Sequence, residues 1–219
     1  MMMCTRMLAL VAVLALIPVL VGANPVVIVA ETYFESDLEG WELLPGPQEQ
    51  LTWEPSEGEP GGHARFEDTS PTTEFLRAPA DYLGDWSWMN GTGYLFWEHC
   101  LVRLGYGPAI RDYQAVIAGP GGRAVFTSQG PPGVTGWEPI VAHIYEGAWD
   151  VEAGSWSAIL DDVDTLLIAI ELVENSGSGS EADIDGLDNV VLGAPYATVL
   201  DDPYVPTSWS AIKRLWSGY

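Results

Sequence analysis

The stretch Thr165-Leu166-Leu167-Ile168-Ala169-Ile170-Glu171-Leu172-Val173 decides the fold class of this chain. Large apolar side chains occupy every second position of it: Leu166, Ile168, Ile170 and Leu172. Ala169 and Glu171 occupy the positions between them. Successive side chains of a β-strand point to opposite faces of a sheet, so this alternation predicts a half-buried strand.

The rest of the chain repeats this pattern of short apolar stretches between turn residues. It contains 24 glycines and 16 prolines, and the stretches between them are rich in β-branched and aromatic residues, which favour strands. Further strands are predicted over residues 26–34, 41–44, 50–53, 63–68, 73–77, 93–104, 113–118, 123–127, 138–145 and 186–192. Many short strands separated by turns predict an all-β sandwich.

One segment has helical rather than strand spacing. In residues 155–163, Trp156, Ile159, Leu160 and Val163 follow one another at positions i, i+3, i+4 and i+7. This spacing places the four side chains on one face of an α-helix. We therefore predict one short helix between two strands.

The N-terminus has the pattern of a secretory signal. Arg6 precedes an apolar run over residues 8–21, and small residues follow up to Ala23, after which we predict cleavage. The run is shorter than the ~20 residues that span a bilayer, so we expect a secreted chain without membrane insertion. The predicted domain covers residues 24–195, and residues 196–219 are predicted to form a linker and a short amphipathic helix.

The charge of the chain excludes several classes of partner. The chain has 31 acidic and 8 basic residues, a formal net charge of −23, which becomes −24 when the predicted signal and its single charge, Arg6, are removed. A negative surface repels phosphate backbones and anionic lipids, so nucleic acid and anionic membranes are excluded. The acidic residues are either solubilising surface charge or ligands for a hard cation such as calcium.

No local pattern of a catalytic site occurs in the sequence. It contains no G-x-S-x-G elbow, phosphate-binding loop or H-E-x-x-H motif. His63, His99 and His143 lack metal-ligand spacing, and Cys100 is predicted to be a buried apolar residue. No catalytic residue is predicted, but a hydrolase with a carboxylate pair stays open because such a pair is defined by its separation in space.

Several motifs follow one another in a recognisable order. They are Phe34-Glu35-Ser36-Asp37-Leu38-Glu39-Gly40-Trp41, Phe75-Leu76-Arg77-Ala78-Pro79, Tyr82-Leu83-Gly84-Asp85 and Gly186-Leu187-Asp188-Asn189-Val190. Over residues 31–193 the chain resembles the laminin IV (laminin B) domain. The resemblance implies a jelly-roll sandwich of the galactose-binding-like type, working as a non-catalytic module for extracellular binding, adhesion or structure. Its expected partner is an extracellular glycan or a matrix or cell-surface protein.

A carbohydrate-binding module is the alternative function. The chain has ten tryptophans, and exposed aromatic rings offer flat surfaces on which sugars pack. Motif positions predict a core location for Trp41, Trp97, Trp149 and Trp156. Four other tryptophans lie near predicted loops: Trp53, Trp86, Trp88 and Trp137. Two or three coplanar exposed rings would favour sugar binding, whereas a deep cleft with facing carboxylates would favour the hydrolase.

The resemblance also implies a structural calcium site that joins the start of the sandwich to its last strand. Glu35 follows the first predicted strand and Asp188 lies in the last one, while Asp68 could add a third carboxylate and Asp185 is a reserve. Calcium takes six to eight oxygens, so carbonyls of the Gly61-Gly62 turn could complete the shell. The predicted metal ligands are therefore Glu35, Asp68 and Asp188.

Overall fold

The computed structural model describes residues 26–44, 50–68, 73–103, 111–130, 136–172 and 183–195. In these ranges the strands are β1 (Val26–Thr32), β2 (Glu42–Leu44), β3 (Leu51–Gly58), β4 (Gly61–Glu67), β5 (Phe75–Arg77), β6 (Tyr94–Arg103), β7 (Tyr113–Gly119), β8 (Gly122–Ser128), β9 (Trp137–His143), β10 (Trp149–Gly154), β11 (Thr165–Ala169) and β12 (Ile184–Pro195). The helix α1 spans Trp156–Asp161, and 3₁₀ turns span Ala80–Tyr82, Ser87–Met89 and Glu146–Ala148.

The strands form two antiparallel sheets. The first sheet has the order β3-β4-β12-β6-β9, and β1 also pairs with β12. The second sheet has the order β10-β8-β7-β11-β5-β2. The sheets pack face to face around one apolar core, which confirms the predicted all-β jelly-roll sandwich with one short helix.

The alternation in residues 165–173 correctly predicted which of its apolar side chains are buried. Leu166, Ile168, Ile170 and Leu172 are all fully buried in the core between the sheets. Ala169 and Glu171, however, are also buried, so the expected exposure of the other face is wrong at these two positions. They line a cavity on the outer side of the second sheet, where neighbouring side chains cover them.

Helix α1 closes one end of the second sheet. Its apolar face is buried, as the spacing of Trp156, Ile159 and Leu160 predicted, although the helix is shorter than expected. The β7–β8 turn approaches it so closely that a Cβ atom at Gly121 would lie 2.0 Å from the Ala158 carbonyl oxygen. Glycine is required at that position because no side chain fits between these backbones.

Strand β10 is the element that sequence analysis missed. It pairs with β8 alone, at the edge of the second sheet, and Asp150, Glu152 and Gly154 are exposed. An edge strand with few buried positions shows only a weak hydrophobic alternation, so its pattern resembles that of a loop. The other predicted strands are present with shifted ends.

The ends of the chain lie outside the described residues. This applies to the predicted signal, residues 1–23, and to the predicted linker and helix, residues 196–219. None of the helices in the described ranges has the length and apolar character needed to cross a bilayer.

Tyr82 fastens the 3₁₀ turn Ala80–Tyr82 to the first sheet. Its hydroxyl donates to the Val190 carbonyl oxygen at 2.8 Å and lies 3.0 Å from Thr32 Oγ1. The Trp41 indole packs edge-on against the Tyr82 ring and also donates to Thr32 Oγ1. One buried hydroxyl therefore links the turn to both β1 and β12.

We expect Tyr82→Phe to lower the free energy of unfolding by about 1–3 kcal/mol, because the buried Val190 carbonyl loses its side-chain donor. Denaturant unfolding measures this change. Tyr145→Phe is the matched control, since Tyr145 is exposed and should change stability by less than ~0.5 kcal/mol. Equal effects of the two variants would contradict the assignment.

Candidate functional site

A polar cavity of about 370 Å³ lies beside the start of β7. Its lining residues are Thr73, Arg111, Asp112, Gln114, Ala169 and Glu171. The backbone N–H of Arg111 donates to the Leu172 carbonyl oxygen at 2.6 Å, which fixes the residue next to β11. Its guanidinium group donates to Thr73 Oγ1 and lies 3.5 Å from Glu171 Oε2. These contacts hold the Arg111 side chain at the cavity wall.

Glu171 is the unusual member of this cavity. The residue is only 1% exposed, and neither carboxylate oxygen has a hydrogen-bond partner. Burial raises the pKa of Glu171 to about 8, because the Arg111 charge only partly offsets it and nearby carboxylates add to it. A buried charge without hydrogen bonds is costly, so the raised pKa keeps a proton on this carboxyl group behind the cavity wall.

The cavity continues into a row of side chains on the outer face of the second sheet. Pairing of β2, β5 and β11 aligns Leu44, Phe75 and Ala169, and pairing of β7 with β8 aligns Gln114 and Thr127. Leu44 and Thr127 are exposed, and Phe75 and Gln114 are partly exposed. This row gives the outer face a mixed apolar and polar character.

Further buried acidic residues lie behind the cavity, at the end of the sandwich where β4 finishes. Asp68, Glu74, Asp183 and Asp185 are each at most 1% exposed. The Asp68 N–H donates to the Asp183 carbonyl oxygen at 3.1 Å, which joins two of them through the backbone. Burial, together with the neighbouring carboxylates, raises the pKa of Asp183 to about 7 and that of Asp185 well above its usual value.

The histidines and the cysteine behave as packing residues. Aromatic rings flank all three histidines, with contacts His63–Trp137, His99–Tyr113 and His143–Tyr145. Burial lowers the pKa of His99 to about 3, so this ring is neutral. Cys100 is buried, as predicted, and burial raises the pKa of its thiol.

Asp188, the central residue of the predicted calcium site, is buried and already has two hydrogen bonds. Its Oδ2 accepts from the Glu59 N–H and its Oδ1 from the Asn189 N–H, both at 2.7 Å. Gly58 lies against both the Gly62 carbonyl oxygen and the Asp188 carboxylate. A Cβ atom added to Gly58 would lie 2.2 Å from the former and 2.8 Å from Asp188 Oδ2. The structure thus brings Asp188 and the predicted glycine turn together.

Asp68 does not belong to the same site as Asp188, which corrects the predicted ligand set. The Asp68 N–H donates to the carbonyl oxygen of Asp183, which lies five residues before Asp188. Because a strand rises ~3.3 Å per residue, the backbones of Asp68 and Asp188 are about 16 Å apart. Glu35 is exposed, and its backbone N–H donates to Glu39 Oε1. Among the described residues, no three His, Cys, Asp or Glu side chains converge as a metal-binding group. Calcium binding therefore stays a prediction, centred on Asp188.

The tryptophans divide between core and surface. The four predicted for the core, Trp41, Trp97, Trp149 and Trp156, are buried as expected. Of the four near predicted loops, Trp86 is only 1% exposed, so its expected loop exposure is wrong, and Trp53 and Trp137 are partly buried. Trp88 is 50% exposed, and the second strongly exposed aromatic residue in the described ranges is Tyr145, at 46%.

Sequence analysis did not single out Arg111 and Glu171. The sequence placed Glu171 on the alternate face of a half-buried strand, where an acidic residue is ordinary, so no signal pointed to its burial. No pattern pointed to Arg111, which becomes part of the cavity only because its backbone bonds to Leu172.

No family model and no curated protein matches this chain. Solved structures with a similar fold include the L4b domain of human laminin alpha-2, at a TM-score of 0.44 and 10% identity over 60% of this chain and 79% of that chain. A xylan-binding domain of family CBM 22 is similar at 0.47 and 9% identity, over 78% of this chain and 97% of that chain. An exo-beta-agarase is similar at 0.50 and 11% identity, over 86% of this chain but 26% of that chain.

These neighbours include a laminin domain and a carbohydrate-binding module, and identities this low show a shared fold alone. A fold by itself does not define a function, so the function is argued from the residues of the site.

The buried acidic groups make stability depend on pH, and we expect it to fall as pH rises from 6.5 to 8. Glu171, Asp183, Asp185 and Asp188 have raised pKa values, two of them about 7 and one about 8. The folded chain therefore keeps protons that the unfolded chain loses near pH 4. Burial lowers the pKa values of the histidines, so below pH 6.5 they make stability increase with pH and oppose this trend.

Denaturant unfolding at both pH values should show at least ~1 kcal/mol less stability at pH 8 than at pH 6.5. Asp183→Asn should reduce this difference, because the amide has no proton to lose. Asp150→Asn changes an exposed residue and should leave the difference intact. A stability that rises over this interval would contradict the assignment of buried protonated carboxyl groups.

If calcium binds around Asp188, its addition should raise the melting temperature relative to a chelator, because a ligand of the folded state stabilises that state. Asp188→Asn should remove the difference between the two buffers. Asp68→Asn should lower both melting temperatures but keep the difference, since Asp68 lies elsewhere along β12. Identical melts of the unaltered chain in both buffers would reject calcium binding.

Proposed function

We propose that this chain is a non-catalytic module that binds a neutral glycan outside the cell, at the cavity of Arg111 and Glu171. The observation that carries the proposal is a guanidinium group that Thr73 and the buried Glu171 hold at the wall of a cavity of about 370 Å³. This volume lies in the range of small-molecule sites. The Arg111 side chain is 24% exposed, so its N–H groups can donate to sugar hydroxyls, while Glu171 lies behind it and holds it in place.

The remaining lining residues extend this complementarity. Gln114 offers an amide, and Thr73 places its hydroxyl against the Arg111 guanidinium. Phe75 and Leu44 continue along the same face and can pack against the C–H faces of a sugar ring. The row crosses several strands at ~4.8 Å spacing, so the face could follow a glycan chain longer than one ring.

The electrostatics favour an uncharged glycan. Each of the four arginines whose side chains the structure describes has a glutamate partner: the pairs are Arg65–Glu67, Arg77–Glu42, Arg111–Glu171 and Arg123–Glu152. A uronate or sulfate group at the cavity would meet the exposed Asp112 as well as Arg111. With a chain charge of −24 after signal removal, binding of an acidic polysaccharide is therefore disfavoured.

The proposal retains the adhesive role that the laminin IV resemblance implies, and assigns its partner to the glycan class. A module that holds a glycan without cleaving it can tether its carrier to a polysaccharide surface. Glycoside hydrolysis uses two carboxyl groups on opposite sides of the bond, and the cavity is lined by both Glu171 and Asp112, so release of sugar from a glycan gel is the measurement that separates binding from hydrolysis.

Affinity gels containing xylan, β-1,3-1,4-mixed-linked glucan or agarose should retard the chain in at least one case, and polygalacturonate should not retard it. Arg111→Ala should weaken retention about 10- to 100-fold, as expected for a hydrogen bond to a charged group worth ~1.5–3 kcal/mol. Glu171→Leu, which removes the carboxyl group behind the guanidinium, should weaken retention in the same direction. Arg65→Ala removes a similar ion pair on the other sheet and should change nothing. Retention that survives both cavity variants, or release of sugar from the gel, would contradict the proposal.

A further inference from the structure

The outer face of the first sheet carries an apolar cluster that is separate from the core. Its buried members are Tyr94, Phe96 and Val191, and the partly buried Val26, Ile28 and Val141 pack against them. Strand pairing aligns Val191, Phe96 and Val141 in one row across β12, β6 and β9. Leu95 and Leu192, the next residues along β6 and β12, belong to the core, so this row points away from it. We call these six apolar residues the outer cluster.

The outer cluster is covered, although its members come from one sheet. Tyr94, Phe96 and Val191 are each 0% exposed, whereas side chains of a single sheet stand side by side and leave its outer face open to water. A Cβ atom at Gly193 would lie 3.4 Å from the Tyr94 hydroxyl, which has no hydrogen-bond partner among the described residues. Buried hydroxyls are ordinarily hydrogen-bonded. The cover must therefore be apolar and also bring polar groups.

Residues 196–219 leave the sheet beside the outer cluster. They follow Pro195, the last residue of β12, which pairs with Val26 at the start of β1. Val191 lies four residues before Pro195, about 13 Å along the strand. Residues 196–206 precede the predicted helix and span up to ~36 Å when extended. The helix can therefore reach every member of the cluster.

The other stretches outside the described ranges are less well placed. The internal ones adjoin the opposite end of the first sheet, about 20–30 Å from Tyr94 along the strands, where the nearest described residues are Leu51, Asp68, Arg103, Trp137 and Asp183. Before β1, the predicted cleavage leaves only Asn24 and Pro25. Two residues are too few to cover six side chains.

The sequence of residues 207–219 suits this position. Trp209, Ile212 and Trp216 recur at i, i+3 and i+7, which places them on one face of the predicted helix. So short a helix is marginal in water and gains its stability from packing of its apolar face. Its two turns are ~11 Å long, close to the ~10 Å that separate β12 from β9. Ser208, at its start, brings a hydroxyl that can pair with Tyr94.

The charges of the two surfaces are complementary. Residues 207–219 contain Lys213 and Arg214, and all 31 acidic residues of the chain precede them. Glu31 is exposed and pairs with Val191, so it stands at the end of the same row. Lys213 follows Ile212 and lies next to the apolar face of the predicted helix. A helix on the outer cluster thus brings a cation towards Glu31.

We propose that residues 207–219 form an amphipathic helix that docks on the outer cluster of the same chain and covers Phe96 and Val191. The apolar face of the helix contacts the sheet, and Lys213 approaches Glu31. The segment closes the outer face of the first sheet. The cavity of Arg111 lies on the second sheet, so this contact is independent of the proposed glycan site.

Thiol labelling of the full mature chain measures the cover. In a Cys100→Ala background, Val141→Cys places a thiol in the outer cluster, and Asp150→Cys places one on the exposed edge strand β10. Deletion of residues 207–219 should speed the labelling of the first thiol at least ~10-fold, because a covered thiol reacts only when its cover opens. The second thiol should react at the same rate in both chains.

A variant of full length makes the test independent of how well the shortened chain folds. Trp209→Ala combined with Ile212→Ala should also speed labelling at residue 141 and lower the melting temperature by about 4 °C. Ser210→Ala alters a different face of the predicted helix, and it is the matched control that should change neither quantity.

Four results would overturn the inference. In the full chain, labelling at residue 141 as fast as at residue 150 would mean that the outer face is open. Equal rates with and without residues 207–219 would assign the cover to another part of the chain. Protection that disappears on dilution, together with a dimer in sedimentation, would assign it to a second copy. An equal effect of Ser210→Ala and the Trp209 variant would contradict docking through the apolar face.

Discussion

The backbone of β12 must find hydrogen-bond partners along its whole length, because every residue from Ile184 to Ala194 is buried. Strand β6 pairs with one side, but the other side is shared, with β4 pairing at the start of β12 and β1 pairing from Val190 onward. Asp188 and Asn189 lie between these partners, where the register shifts. The Asp188 carboxylate binds the Glu59 N–H and the Asn189 amide donates to the Glu59 carbonyl oxygen. Side chains thus replace the missing strand, and the first sheet depends on them.

The same strand brings acidic groups into the interior. Asp183 and Asp185 lie at its start, next to Asp68, which follows the end of β4. Among the described ion pairs, Arg111 is the arginine that pairs with a buried carboxyl group. Keeping a proton on a buried carboxyl group costs less than burying its charge. The raised pKa values of this region therefore follow from the topology. Glu171 shares this environment, and it lies next to the Arg111 guanidinium at the cavity wall.

The proposed cavity depends on strand register. Pairing of β11 with β5 sets Ala169 beside Phe75. The Arg111 N–H bonds to the Leu172 carbonyl oxygen, which brings the guanidinium group to Glu171. A site built on hydrogen-bonded strands keeps its shape when a ligand arrives, and an adhesive function requires contacts that hold a glycan without consuming it.

Local patterns in the sequence determined the fold class, most of the strands, the short helix and the core tryptophans. These features follow from the period of the side chains and from turn residues, which act over a few neighbouring positions. The sequence predicted Glu171 on the exposed face of its strand, and gave no sign that it is buried. Only the tertiary structure separated Asp68 from Asp188, buried Trp86, exposed Trp88 and brought Arg111 to Glu171. These outcomes depend on which strands pair and in which register, and a pairing between residues far apart in the chain leaves no local pattern to read.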